Sequence, residues 1–423
     1  MTAALTAEEA AALAAVDEAS VARTLLELIA IPSVTGSAAE SEIQHHLAGR
    51  LDRLGLETDL WPMDLPALRA HPDFPGTEAP REEAWGLVGT TGGADGPTVV
   101  LQGHVDVVPP GDPAHWVGDP FVPRAVGDTV HGRGACDMKA GLVAHLAALE
   151  AIRASGVRLR GRVAVHFVVG EEDGGLGAFG TLQRGYSGDA CLITEPTGGA
   201  LVTANAGALT FRIEVSGRAA HASTRDEGAS AIDAYLPIHA ALARLEAVRN
   251  TDPDPVMAEY PIPYALSVGT LRAGDWASSV PDLLVAEGRL GVRLGEDPAE
   301  ARAALERCVA EVCAADPWLR EHPAAVLWSG GQFASGRLAA GHPLRDLVRD
   351  AHADAVGGPR LPERGAPYGS DLRLYAAAGV PTLQFGPGDV RLAHSPREQV
   401  SVRETVQVAR TLVLAVLRTA GTR

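Results

Sequence analysis

Cysteine is scarce in this chain, with four residues among 423. Cys136, Cys191, Cys308 and Cys313 form no CxxC pair, so neither a disulfide framework nor a cysteine-based zinc site is expected. Reduced thiols in a cytoplasm fit that usage. Positive charge is also in short supply. A formal net charge of -17 excludes nucleic acid and anionic membrane surfaces as partners, since both select basic patches. No uninterrupted apolar run reaches the roughly 18 residues of a membrane span. The opening stretch, MTAALTAEEAAALAAVDEAS, lacks the basic start and apolar core of a secretory signal and reads as a surface helix. A cytoplasmic protein is the expectation. There is no GxSxG elbow for a serine hydrolase, no internal repeat, and no low-complexity tract beyond the Ala-rich start.

What remains is a globular composition, 46% hydrophobic and 21% charged, in a chain too long for one ordinary core. Residues 18–31 and 38–55 read as amphipathic helices, and residues 62–86 as a long surface loop. TVVLQGH, GRVAVHFVVGEE and ACLITEP are short apolar runs suited to buried strands, and DMKAGLVAHLAALEAIRASG between the first two is helical. Strand, helix, strand implies a mostly parallel α/β sheet. Near residue 206 the pattern changes to alternation, ALTFRIEVSG, and a strand–helix–strand–strand–helix–strand order follows. That order is a ferredoxin-like α+β unit. The expected organisation is a discontinuous catalytic domain, 1–205 and 336–423, with an insert at 206–335.

The stretch LQGHVDVVP puts His104 and Asp106 just past a strand, two residues apart and thus on one side of it. A histidine with one ring nitrogen held by a carboxylate is a typical metal ligand. HGRGACDMKAG, GEEDGG, TEP and AHSPRE also fall at strand ends or helix starts. In an open α/β sheet those ends form the ligand crevice. His104, Asp137, Glu171, Glu172, Glu195 and His394 are therefore expected to converge. Four carboxylates with two imidazoles call for divalent cations. Two metals sharing one bridging carboxylate satisfy the count, and Asp137, read as opening a helix, suits the bridge. Of the adjacent Glu171 and Glu172, one can bind metal while the other acts as general base.

In this order, HxD, GRGxxDMKxG, EE, [DE]P and AHxxxE with a ferredoxin-like insert, the motifs resemble the M20 metallopeptidases and deacylases. The resemblance runs from about residue 20 to the C-terminus. It implies a zinc-peptidase-like α/β catalytic domain with an inserted lid and dimerisation domain. It also implies two zinc ions per chain, with cobalt or manganese as substitutes. His104, Asp137 and Glu195 would hold one, and Asp137, Glu172 and His394 the other. Glu171 would be the general base and Asp106 would orient His104. GRAAHAS resembles the family's insert motif, making His221 an oxyanion stabiliser acting across a homodimer. The implied activity is hydrolysis of the amide of an N-acyl amino acid, closest to the acetylornithine-deacetylase-like branch, with a dipeptidase or carboxypeptidase as the alternative.

For the substrate, the family pattern is incomplete. Ser278 or Ser279 stands where many members have Asn, and Arg289 and Arg293 compete for the role of carboxylate clamp. Ser370, Asp371 and Arg373 are candidate pocket residues, and Gly386 and Gly388 candidate backbone donors to an anion. One competing motif is GLGAFG, which follows a strand and matches a dinucleotide fingerprint. The EED directly before it would repel a pyrophosphate, so a dinucleotide enzyme is rejected. A non-catalytic scaffold on this fold would have lost the base or ligands, and none is missing.

Overall fold

The computed structural model describes residues 4–423. The expected N-terminal helix runs Ala7–Ala14, closed by a Thr6–Glu9 capping box, and the first three residues of that stretch lie outside the described part. It is not merely a surface helix. Ala12 and Leu13 are buried, and Glu9 pairs with Arg418 of the C-terminal helix Val402–Ala420 at 2.7 Å.

The chain divides into two compact units, 4–203 with 337–364 and 374–423, and 204–336 with 365–373. The sequence reading placed the breaks two residues later and one residue earlier, and assigned 365–373 to the other part. That segment belongs with the insert because Ala206 and Asn205 bond to it, Ala206 N–H to Ala366 O and the Asn205 amide to Tyr368 O.

In the first unit the sheet runs Glu57–Pro62, Trp85–Gly92, Arg162–Val168, Thr98–His104, Ala190–Pro196, Thr382–Gly386, Leu201–Asn205. Its central four strands are parallel and its flanking strands antiparallel. The parallel strands are mostly apolar and almost entirely buried because helices cover both faces of such a sheet. Helix Ala140–Ala154 is buried along nearly its whole length. Its parallel strands all end toward one edge, where His104 and Glu195 stand at or next to the last residue. The second unit is an antiparallel sheet in the order Leu266–Ala273, Leu283–Val292, Gly207–Ser216, Ala325–Phe333, with helices Ala231–Arg249 and Pro298–Ala315. This is the ferredoxin-like order.

Two local readings change. Residues 62–86 are not a plain surface loop: a short helix spans Leu65–Arg69, and Arg81 is buried. The glycines of GLGAFG serve packing instead of phosphate binding. A Cβ on Gly177 would collide with both Val169 N and Val169 O, so helix Leu176–Gln183 can only seat against the strand end without one. Gly177→Ala is expected to lower stability by about 1–3 kcal/mol through overpacking. A urea titration checks this, and an unshifted midpoint would refute the close-approach account.

Candidate metal centre

His104 ends its strand almost fully buried. Its Nδ1 lies 2.9 Å from Asp106 O, and an N–H there donates to that carbonyl. This tautomer turns Nε2 outward. Nε2 faces Asp137 Oδ1 at 3.1 Å and Glu195 Oε1 at 3.6 Å. The carboxylate of Asp106 is farther from the ring, at 3.7 Å. It accepts instead from the Thr35 hydroxyl and from the N–H groups of Glu171 and Glu172, at 3.0, 3.1 and 3.3 Å. The expected orientation of His104 by Asp106 thus runs through the main chain, while the carboxylate holds the Glu171–Glu172 turn.

Asp137 does not open a regular helix. Its φ and ψ are -118° and 93°, its peptide bond to Met138 is cis, and the regular helix starts at Ala140. The helix-dipole argument for it therefore lapses. What fixes the segment is Glu398, fully enclosed, which accepts from Cys136 N–H and Asp137 N–H at 3.2 Å each and pairs with Arg133 at 2.5 Å. The Asp137 carboxylate then reaches two ways: Oδ1 to His104, and Oδ2 to His394 Nε2 at 3.4 Å. His394 Nε2 also lies 3.1 Å from each oxygen of Glu172. His394 is the one non-glycine residue with positive φ among those described, at 58°. Such strain concentrates where the surroundings dictate a side chain's direction.

The electrostatics follow from this crowding. Burial pushes Glu195 up to about 7 in spite of His104, with Asp137 and Glu172 adding to the rise. Burial also raises Glu172, aided by Asp137. Burial works against ionised Asp137 too, yet the two imidazoles hold its carboxyl far below the usual range. Both histidines are driven upward against burial. Glu195, Asp137 and Asp106 raise His104, and Asp137 and Glu172 raise His394 to about 11. The cluster demands positive charge. Donor atoms of His104, Glu171 and Glu195, and of His104, Asp137 and Glu172, each lie within 4.8 Å of one another. Imidazole nitrogens and carboxylate oxygens in such groups fit divalent cations.

The remaining expected residues divide. Ser370, Asp371 and Arg373 are buried within the second unit. Arg373 donates to Ser370 O at 2.8 Å and lies 4.0 Å over the Phe333 ring. Arg289 is exposed, 6.0 Å from the same ring. Arg293 is committed elsewhere, donating to Arg249 O at 2.8 Å and Val248 O at 3.1 Å, so it is no free clamp. Gly386 and Gly388 are not anion donors either. Gly386 N–H donates to Thr197 Oγ1 at 3.3 Å, and Gly388 N–H serves Glu404. Gly386 is glycine because a Cβ would strike the Thr194 carbonyl, and Gly388 because a Cβ would lie 2.6 Å from Cys136 Cβ. His221, in the second unit, is exposed. Its Nδ1 accepts from Ser223 N–H at 3.1 Å, and its strand segment bridges to Ser279. Arg133 and Glu398 lie inside HGRGACDMKAG and AHSPRE, but nothing in either stretch marks them as partners of each other. Thr35, which donates to the Asp106 carboxylate, carries no local signal in the sequence.

A partly parallel α/β sheet with a histidine–carboxylate cluster at its strand ends, interrupted in sequence by an α+β unit, defines a protein whose donor groups fit divalent cations. The sequence profile of the peptidase family M20/M25/M40 matches residues 100–418, and the chain belongs to that family. It is 27% identical to an N-formyl-4-amino-5-aminomethyl-2-methylpyrimidine deformylase of Halalkalibacterium halodurans, covering 91% of each chain. It is 32% identical to a succinyl-diaminopimelate desuccinylase of Leptothrix cholodnii, covering 85% of this chain and 89% of that one. A tripeptidase of Staphylococcus aureus shares its fold, with a TM-score of 0.73 at 21% identity over 96% of this chain and 99% of the other. The protein is a hydrolase acting on amide bonds.

Glu398→Gln removes the charge that pairs Arg133 and weakens the acceptor for Asp137 N–H. Divalent-cation affinity is expected to fall by roughly 10–100-fold, the usual cost of losing an outer partner. A cobalt titration followed by visible absorbance measures it, and unaltered affinity would contradict the role given to Glu398.

Proposed function

We propose that the protein removes the acyl group from an N-acyl amino acid. The observation that carries this reading is the shared carboxylate: Asp137 presents one oxygen to His104 and the other to His394. His104, Asp137 and Glu195 are assigned to one cation, and Asp137, Glu172 and His394 to the other. Zinc is the proposed ion, with cobalt or manganese as substitutes. Bound there, the two cations would polarise the scissile carbonyl and acidify the attacking water.

Glu171, buried beside His104 and Glu195, is the proposed base. It takes a proton from the water as the new C–O bond forms at the carbonyl carbon. It then gives that proton to the nitrogen as the C–N bond breaks, releasing the free amine and the acid. Asp106 keeps Glu171 in place through its main-chain N–H. His221 is assigned to the carbonyl oxygen, where charge develops in the transition state. With Nδ1 engaged by Ser223, its Nε2 is the atom left for that task. Action of His221 across a homodimer, and a cytoplasmic setting, complete the proposal. Four cysteines, none of them in a disulfide, support the latter. Among the described residues no helix is long and apolar enough to cross a membrane.

The test is amine release from N-acetyl, N-formyl and N-succinyl amino acids and from dipeptides, with zinc, with cobalt and after chelation. Metal-dependent release from one acyl class supports the proposal, whereas release from dipeptides alone points to a peptidase. Glu171→Ala is expected to lower kcat by at least about 1,000-fold while two metals stay bound. Turnover within tenfold of wild type would remove Glu171 from its role. If His221 acts across subunits, mixing His221→Ala with Glu171→Ala chains should restore part of the activity. No recovery in verified mixed dimers would confine His221 to its own chain.

A further inference from the structure

Residues 75–81 form a strap pressed between two loops of the first unit. On one side, a Cβ on Gly36 would lie 2.7 Å from Pro80 O and 2.9 Å from Ala79 Cβ. On the other, a Cβ on Gly174 would collide with Gly76 O. Backbone meets backbone on both sides, so the strap's path is tightly set. Its Glu78 and Ala79 N–H groups donate to Asp173 Oδ2 at 3.2 and 2.9 Å.

The strap ends in Arg81, whose side chain is wholly buried. The guanidinium joins two carboxylates, Glu40 at 3.0 Å and Asp173 at 3.1 Å. Glu40 in turn accepts from Gly170 N–H at 3.0 Å and Gly36 N–H at 2.6 Å. Consecutive residues of one turn are thus gripped: Gly170 by Glu40, Glu171 and Glu172 by Asp106, and Asp173 by Arg81 and the strap. Two carboxylates, Glu40 and Asp106, stand behind a turn that itself carries three more, Glu171, Glu172 and Asp173. Without a cation among them they would repel one another and the turn. Arg81 is the group whose planar fork can hold two of them at once.

We propose that Arg81 is a positioning residue: through Glu40 and Asp173 it fixes the turn 170–173, and so sets where Glu171 and Glu172 point. This rests on the roles given above to those two glutamates. The Arg81 guanidinium pairs with Glu40 and Asp173, so its effect on the glutamates runs through them.

The experiment compares full-length wild type, Arg81→Met, Arg81→Lys and Asp173→Asn, each loaded with cobalt. Arg81→Met should lower kcat per cobalt-loaded chain by about 100-fold with KM within about twofold, because misplacement of a base acts on the chemical step. Its visible cobalt spectrum should change. Arg81→Lys should regain part of kcat, since a point charge can serve one carboxylate but not grip both. Should Arg81→Met fail to fold, Asp173→Asn decides, with kcat expected about tenfold down and the spectrum altered. Wild-type kcat in folded variants, or a loss confined to KM, overturns the proposal. So does a loss of folded protein with unchanged kcat per loaded chain. If wild type hydrolyses no amide, the hydrolase reading fails by itself. The cobalt spectrum and affinity then decide alone, and their constancy across the variants overturns Arg81's role.

Discussion

One carboxylate divided between two imidazoles organises this molecule. Asp137 lies between His104 and His394, and neither histidine is near it in the chain, with 33 residues to the first and 257 to the second. A buried carboxylate pulled toward its ionised form by two rings, themselves made basic by Glu172 and Glu195, is a charge arrangement that only a surplus of positive charge can settle. Three separate parts of the fold must therefore be held in register: the end of one parallel strand, the irregular segment before helix Ala140–Ala154, and the loop before the C-terminal helix.

Much of the buried polar structure serves that register. Glu398 grips the Asp137 segment from behind and is itself neutralised by Arg133. Asp106 supplies its carbonyl to His104 and its carboxylate to the glutamate turn, so one residue couples two groups of donors. The single lysine of the chain, Lys139, is buried and donates to Ile31 O at 2.7 Å, tying the same segment to the residues just past helix Glu18–Ile29. Burial pulls that ammonium down to about 7, with Glu398 and Asp106 opposing the fall. These are charged groups that would cost several kcal/mol each if left unpaired in the interior, and each has an oppositely charged or hydrogen-bonding partner.

The parts of the site legible in the sequence are those carried by short motifs at strand ends. The apolar run before His104 and the βαββαβ order of the insert follow from periodicity, because strand burial and sheet alternation write themselves into the local pattern. The misread parts share a different cause. Asp137 was placed on a helix because the residues after it are helical, whereas its conformation is set by Glu398, which is remote in sequence. Gly386 and Gly388 looked like donors to an anion. Their N–H groups are spent on Thr197 and Glu404, partners that no local pattern announces. Arg293 fails as a clamp for the same reason, being committed to the carbonyls at the end of helix Ala231–Arg249.

By itself the sequence determined the class of fold, the family, and the six residues that gather at the strand ends, because metal-binding chemistry restricts residue type and strand ends restrict position. Tertiary structure alone decided how those residues are held. It turned Asp106 toward the glutamate turn, sent the strap 75–81 and Arg81 inward from what reads as a polar surface loop, and attached 365–373 to the insert. Such choices depend on which buried donor meets which acceptor across long sequence separations, and a local pattern contains no term for that.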